Sequence, residues 1–169
     1  NHTCALDVNV VTTCWGDNTY GQTDVPTLSN PTQVSLGSYH TCALDENVVT
    51  CWGDNRYGQT DVPSLSNPIQ VSAGARNTCA IDDYGVNCWG NNSAGQTDVP
   101  TLSNPTQISA GNNYVCALDD TGVTCWGANY YRATEVPTLS NPTQVVTAGG
   151  GRHTCAIDDD GLTCWGRND

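Results

Sequence analysis

The sequence predicts an all-β chain assembled from five copies of one hairpin. Three observations lead there: a His-Thr-Cys-Ala-Leu-Asp…Val-Thr-Cys-Trp-Gly motif recurs five times, short β-prone runs alternate with turn-forming residues, and a pair of cysteines marks each copy. First cysteines stand at Cys4, Cys42, Cys79, Cys116 and Cys155 and second ones at Cys14, Cys51, Cys88, Cys125 and Cys164, a period of 37 to 39 residues. Length changes fall in turns, with one extra residue between Asp7 and Thr13 and two more between Val146 and Arg152. Loops absorb insertions that packed strands do not. Residues 1–169 therefore read as a single repeat domain with hairpins near 3–16, 41–53, 78–90, 115–127 and 154–166.

The hairpin comes first. Thr41-Cys42-Ala43-Leu44 and Val49-Thr50-Cys51-Trp52 are its β-prone runs, and Asp45-Glu46-Asn47-Val48 supplies the turn. Later copies place Asp82 to Gly85, Asp119 to Gly122 and Asp158 to Gly161 there, each with a glycine free to take positive φ. A two-residue turn at Glu46-Asn47 sets Cys42 opposite Cys51 and Leu44 opposite Val49 on one face, a register that holds a cross-strand disulfide. Zinc would need four converging ligands, and a calcium loop would need a bidentate acid beyond the Asp-rich turns. The expectation is one intra-hairpin disulfide per unit and no metal.

The other hairpin face carries Ala43, Thr50 and Trp52, so both faces ask for cover. A sandwich strand wets one face, whereas a β-propeller blade is packed between two neighbours. Gln33–Gly37, Gln70–Gly74, Gln107–Gly111 and Gln144–Gly149 supply a third strand of small residues, suited to convergence on a central axis. The stretch Gly-Gln-Thr-Asp-Val-Pro-Thr-Leu-Ser-Asn-Pro before it, with two prolines, is an outer strand or an extended crossover. Five hairpins with four inner strands leave the chain opening and closing part-way through the repeat. The expected architecture is a propeller of about five short antiparallel blades, or an open arc of such blades. Unpaired edges recruit strands, so an arc can build rings or filaments from copies of itself.

Composition sets the compartment and excludes partners. Ten cysteines in 169 residues indicate an oxidising, extracellular or cell-surface setting. No apolar run reaches the ~20 residues of a membrane span, so no membrane insertion is expected, and without a leader at Asn1 the chain reads as mature or as an excerpt. Five scattered arginines against 17 acids, with a formal charge of −12, argue against nucleic acid.

Taken together, His-Thr-x-Ala-Leu, the Asp-Gly turn, Trp-Gly-x-Asn-x-x-Gly-Gln and an inner strand ending in Ala-Gly resemble the repeat of the regulator of chromosome condensation family. The resemblance covers essentially the whole chain and implies a β-propeller. The nuclear members' exchange and chromatin roles call for a basic DNA-facing surface that this composition lacks. The cysteine pair per unit and the acidity bring the chain closer to secreted bacterial proteins with such repeats. Fold transfers on this basis and function does not.

Candidate site residues follow from where the repeat varies. His2, His40 and His153 share a slot with Asn77 and Tyr114, so the polar ring is expected to bond a neighbouring strand. Asn18, Asn55, Asn92, Asn129 and Asn168 recur in every unit and read as backbone caps. No residue stands out as catalytic, no cofactor is implied, and the chain is expected not to be an enzyme. Variation concentrates in the loop after the inner strand, with Tyr39, Arg76, Tyr114 and Arg152, and in the loop after Trp-Gly-x-Asn, with Arg56, Tyr57, Tyr130, Tyr131 and Arg132. Tyr and Arg are favoured at protein interfaces, so these residues are the candidate partner-binding set. Asn1 and Asn91 head glycosylation sequons. The expected function is a secreted or cell-surface module for protein interaction or self-assembly through its incomplete ends. The alternatives are a monomeric propeller that binds a carbohydrate or acts as an inhibitor and, less favoured, a propeller hydrolase.

Overall fold

A computed structural model describes residues 1–7, 12–148 and 152–168. The first hairpin's turn at 8–11, Gly149 to Gly151 and Asp169 lie outside the described residues, as do the expectations placed on them.

Among the described residues, fourteen strands form five antiparallel sheets in sequence order. Blade 1 holds β1 (His2–Leu6) and β2 (Thr12–Gly16). Blade 2 holds β3 (Pro31–Leu36), β4 (His40–Asp45) and β5 (Val48–Gly53). Blade 3 holds β6 (Gln70–Ala73), β7 (Asn77–Asp82) and β8 (Gly85–Gly90). Blade 4 holds β9 (Gln107–Ala110), β10 (Tyr114–Asp119) and β11 (Gly122–Gly127). Blade 5 holds β12 (Gln144–Thr147), β13 (His153–Asp158) and β14 (Gly161–Gly166). Apart from Pro31, which opens β3, the proline-bearing stretches between blades form no strand, which resolves them as extended crossovers.

The hairpin register is the expected one, with Cys42 opposite Cys51 and Leu44 opposite Val49. The strands begin one residue earlier than the motif suggests, because His40, Asn77, Tyr114 and His153 each pair with the glycine of Trp-Gly. That glycine is obligatory. A Cβ on Gly53, at φ +102, would lie 2.7 Å from the Tyr39 carbonyl oxygen and 2.9 Å from the His40 Cα. Five disulfides clasp the hairpins, Cys4–Cys14, Cys42–Cys51, Cys79–Cys88, Cys116–Cys125 and Cys155–Cys164, with Cα atoms 4.0 to 4.1 Å apart. Such close approach belongs to the non-hydrogen-bonded pairs of an antiparallel ladder.

Each blade has two unlike faces. The Thr/Trp face packs backward: Thr41 Oγ1 and Trp52 Nε1 both donate to the Gln22 carbonyl of the preceding crossover, at 2.8 and 3.0 Å. The His/Cys face packs forward, and His40 Nε2 meets Thr78 Oγ1 of the next blade at 2.9 Å. The core lies between blades, where Cys42, Leu44 and Val49 meet Val71, Ala73 and Ala80, and Cys79 and Ile81 meet Ile108, Ala110, Val115 and Ala117.

Blade-to-blade packing also closes the inner edges. The Gln33 amide oxygen accepts the Val71 N–H and Ser35 Oγ accepts the Ala73 N–H. Gln70 with Ser72, and Gln107 with Ser109, do the same for the next two inner strands. An inner strand presents unpaired N–H groups, and side chains of the preceding blade satisfy them.

Among the described residues, blades 1 and 5 do not pack on one another as neighbouring blades do. Each keeps one face uncovered. Trp15 is 53 % exposed on the backward face of blade 1, where the equivalent Trp126 is 9 % exposed, and Leu162 is 71 % exposed on the forward face of blade 5. The arrangement is an open arc of propeller blades.

Candidate partner-binding face

The His-bearing strand ends, the loops after the inner strands and the starts of the crossovers all lie at one end of the arc, and the Asp-rich hairpin turns lie at the other. This follows from the antiparallel order within each blade, where Leu36, His40 and Gly53 share an end and Pro31, Asp45 and Val48 share the opposite one. All five arginines stand in loops or crossovers of the first end.

A repeated bracket builds each crossover start. The Asn55 side-chain oxygen accepts the Thr60 N–H and its Nδ2 donates to Asp61 at 2.7 Å, and Asn18, Asn92 and Asn129 repeat the pair with Asp24, Asp98 and Glu135. The buried Gln59 amide oxygen accepts the Tyr57 N–H at 2.9 Å, as Gln22 and Gln96 do for Tyr20 and Ala94. The backbone is thus held rigid beneath the variable side chains.

Two Tyr/Arg clusters stand on this frame. In the first, the Arg56 guanidinium lies 4.5 Å from the Tyr20 ring centroid and forms a bidentate pair with Asp54. Hydrogen bonds from Arg56 hold the Asp54 carboxyl below its ordinary value. Tyr39 meets Tyr20 edge-on at 5.4 Å, and Arg76 lies over Tyr57 at 5.1 Å while donating to its hydroxyl. In the second, Arg152 lies over both Tyr130 and Tyr131, and Arg167 lies over Tyr131 at 5.3 Å. Tyr130 and Tyr131 are 59 % and 49 % exposed. Arg132 projects beside them and approaches Glu135 at 3.7 Å.

The second cluster departs from the repeat. Arg132 occupies the slot of Gly21, Gly58 and Gly95, and it keeps the left-handed backbone those glycines adopt, at φ 62°. Tyr131 beside it is left-handed too, at φ 60°. Ala133 replaces the buried glutamine, which leaves a narrow cleft lined by Asn113, Tyr114, Ala128, Tyr130, Ala133 and Arg152. Its carbonyl keeps the structural duty, accepting from Thr154 Oγ1 and Trp165 Nε1.

Tyr114 requires a correction. It is 3 % exposed, its hydroxyl donates to the His153 carbonyl at 2.7 Å, and burial raises its pKa. It fills the histidine slot as a packing residue and does not present itself to a partner. Tyr20 and Arg167, absent from the candidate set, belong to it. Tyr20 shares Tyr57's slot, which was a readable signal, whereas Arg167 reaches Tyr131 through the approach of blade 5 to the unit-4 crossover.

Several other polar groups bond the frame. His2 Nε2 meets Thr41 Oγ1 at 2.8 Å, and burial depresses the His40 pKa to about 4. Asp45, Asp82, Asp119 and Asp158 accept backbone N–H groups at Ser29, Ser66, Ser103 and Ser140. Grooves of about 670 and 600 Å³ beside the turns of blades 3 and 4 include Asp82 and Asp119 among their walls. Asn91 Oδ1 accepts from Ser93 and Gln96, and Asn1 is exposed. Among the described residues no group of three or more His, Cys, Asp or Glu is placed to hold a metal ion, and no helix is long and apolar enough to cross a membrane.

Residues 32–59, 69–96, 106–132 and 144–169 match the Regulator of chromosome condensation (RCC1) repeat. No curated protein matches the sequence significantly. Among solved structures, the ectodomain of the Physcomitrella patens receptor kinase CR4 is similar at 26 % identity and a TM-score of 0.81, over 98 % of this chain and 49 % of that one. The CRINKLY WD40 ectodomain of the Arabidopsis thaliana receptor kinase ACR4 is similar at 27 % identity and a TM-score of 0.75, over 98 % of this chain and 62 % of that one. Prp20p from Saccharomyces cerevisiae, described with its binding to Gsp1p and histones, shares the fold at 20 % identity and a TM-score of 0.81, over 99 % of this chain and 56 % of its own. The chain thus spans about half to three-fifths of the length of these proteins. With four matched repeats in register with blades 2 to 5, the chain belongs to the regulator of chromosome condensation (RCC1) repeat family.

Proposed function

We propose that the chain is a non-enzymatic extracellular module, one repeat domain over 1–169, that binds a protein partner through its Tyr/Arg end with the Tyr130–Arg132 cluster at the centre. The observation that carries this reading is the strained pair Tyr131 and Arg132, with Arg132 standing where units 1 to 3 use Gly21, Gly58 and Gly95. Left-handed backbone at a non-glycine residue costs on the order of 1 kcal/mol and concentrates at functional sites. Exposed Tyr and Arg stacked on one another form preorganised contacts, and these residue types dominate interface hot spots. Five disulfides and the likeness to two receptor-kinase ectodomains support the extracellular setting.

The test compares the folded chain with two variants, Tyr130→Ala/Tyr131→Ala and Arg132→Gly, in affinity capture from the medium of the cells that produce it. Arg132→Gly relieves strain, so its thermal midpoint rises while capture of a specific partner falls, and the double alanine variant abolishes capture with its far-UV spectrum unchanged. Capture that is equal for all three proteins overturns the assignment.

A second reading, self-assembly through the open blades, is favoured by the exposure of Trp15, Ile157 and Leu162 on faces that are covered in the inner blades.

A further inference from the structure

In units 1 to 3 the residue after Trp-Gly and the glutamine five positions on form a polar pair beneath the variable loop. Asp17, Asp54 and Asn91 each accept, through Oδ1, the N–H of the residue two positions on, at Thr19, Arg56 and Ser93. Gln22, Gln59 and Gln96 accept the N–H of Tyr20, Tyr57 and Ala94. In unit 3 the two side chains also bond one another, Gln96 Nε2 donating to Asn91 Oδ1 at 2.8 Å. Unit 4 replaces both. Ala128 and Ala133 stand in these slots, and a methyl group accepts nothing.

The double replacement leaves donors without acceptors. The Tyr130 N–H holds the position served by Oδ1 in the other units, and no acceptor meets it among the described residues. Arg152 reaches the same place from the blade 5 loop, with its guanidinium 5.7 and 5.2 Å from the Tyr130 and Tyr131 ring centroids. Salt bridges among the described residues join Arg56 to Asp54 and Arg132 to Glu135, and none reaches Arg152. The narrow cleft that Ala128, Ala133, Tyr130 and Arg152 line lies between two three-stranded blades. Unit 2 shows what fills such a place. There Asp54 is 3 % exposed, and its carboxylate accepts from the Arg56 N–H at 3.2 Å and from the Arg56 guanidinium at 2.8 and 3.0 Å. Unit 4 keeps a guanidinium, supplied by Arg152, and lacks the acid.

We infer that this cleft receives the carboxylate of a glutamate or aspartate side chain of the protein partner, in the place that Asp54 fills in unit 2. The inference rests on the partner-binding reading of the Tyr130–Arg132 cluster and adds the chemistry that the partner brings. Hydrogen-bond inventory decides between an acid and an amide. A carboxylate only accepts, so it answers the Tyr130 N–H and the Arg152 guanidinium with no donor of its own to place, whereas an amide brings an NH2 group to a slot where the oxygen of Asn91 has become a methyl. Stacking on two rings holds the guanidinium ready, so little side-chain freedom is lost when the acid arrives. A formal charge of −12 repels an acid over most of the surface and steers it to the end where the arginines gather.

The test titrates a blocked pentapeptide, Gly-Ser-Glu-Ser-Gly, and its glutamine twin into the intact oxidised chain at millimolar concentration, reading the Ala128 and Ala133 methyl groups and the Arg152 Nε–H by NMR. Saturable shifts of all three groups with the glutamate peptide are the expected result. The glutamine peptide binds roughly tenfold or more weakly, the gap between charge-assisted and neutral hydrogen bonds. Two variants fill the cleft from within: Ala128→Asp sets the acid of unit 2 beside Arg152, and Ala128→Asn/Ala133→Gln rebuilds the pair of unit 3. Both use side chains that the repeat already accepts, and each is expected to keep its thermal midpoint and to lose the peptide-induced shift at Arg152. No saturable shift with the glutamate peptide overturns the inference, as does equal binding of the glutamine peptide or an unchanged Arg152 response in a folded variant. Loss of capture in the variants at 130–132 together with no response to the glutamate peptide leaves the partner-binding reading standing and overturns the carboxylate alone.

Discussion

A single slot in the repeat shows how residue chemistry is spent. Position 40 and its equivalents hold His, Asn or Tyr, buried at His40, Asn77 and Tyr114, half-buried at His2 and exposed at His153, and each stands beside the glycine of Trp-Gly. At His40 burial is complete, and desolvation lowers the pKa to about 4. The unfolded chain, with a histidine pKa near 6.5, therefore binds the proton between pH 6.5 and 4 while the folded chain does not. Stability contributed by the neutral ring is present above pH 6.5 and is lost as the pH falls through that window, by on the order of 3 kcal/mol for a gap of this size. Asn77 shows that asparagine is accepted in the slot. His40→Asn is expected to fold and to flatten the pH dependence of the urea midpoint between pH 6.5 and 4. An unchanged slope in the variant would place that dependence elsewhere. The recurring asparagine after Trp-Gly was legible as a backbone cap because it persists while its neighbour varies. The acid six residues on was not, since Asp61 looks like any solvent-facing charge until the crossover folds back on Asn55. Tyr114 was misread for the same reason: a loop residue in sequence is a packing residue once blade 5 lies over it.

At the scale of the element, the hairpin was fully legible. Turn length fixes register, and register places the cysteines face to face. The identity of the crossover was not, because two prolines are compatible with either an edge strand or no strand. Disulfides of equal geometry differ in setting. Cys42, Cys79 and Cys116 are 0 % exposed, Cys4 and Cys14 are half-buried, and Cys164 is exposed on the open face of blade 5. Thiolate exchange requires access to sulfur, so graded reduction under native conditions should open Cys155–Cys164 and Cys4–Cys14 before the three inner bridges. Mass mapping after brief alkylation reads the order, and an inner bridge opening first would contradict it. Each ten-residue loop is worth roughly 2.5 to 3 kcal/mol in the chain-entropy model, so loss of an end bridge frays one blade without dissolving the core between the others.

For the whole molecule, the decisive feature is the unequal cover of its two ends. The forward face of blade 5 carries Gln144 in the series of capping glutamines but Val146 where the series has serine. Among the described residues, no crossover carbonyl meets Trp15 on the backward face of blade 1, where it is 53 % exposed, as the Gln22 and Gln59 carbonyls meet Trp52 and Trp89. Val146 supplies no hydroxyl where Ser35, Ser72 and Ser109 cap the next inner strand, so self-association of residues 1–169 through these faces is expected to be weak. Light scattering should give a mass near 17.9 kDa at micromolar concentration, rising as concentration increases. A stable filament at low concentration would show that the end faces suffice.

The amino-acid sequence by itself determined the blade. Periodicity, turn residues and paired cysteines are local, and local geometry sets hairpin, register and disulfide without reference to anything distant. The tertiary structure decided which surfaces remain. Burial of Tyr114, the capping of Val71 by Gln33 and the anchoring of Trp52 on the Gln22 carbonyl arise from contacts 30 to 39 residues apart, where one unit meets the next. A repeat fixes what every copy shares, and only the stacking of the copies shows which of them has no neighbour.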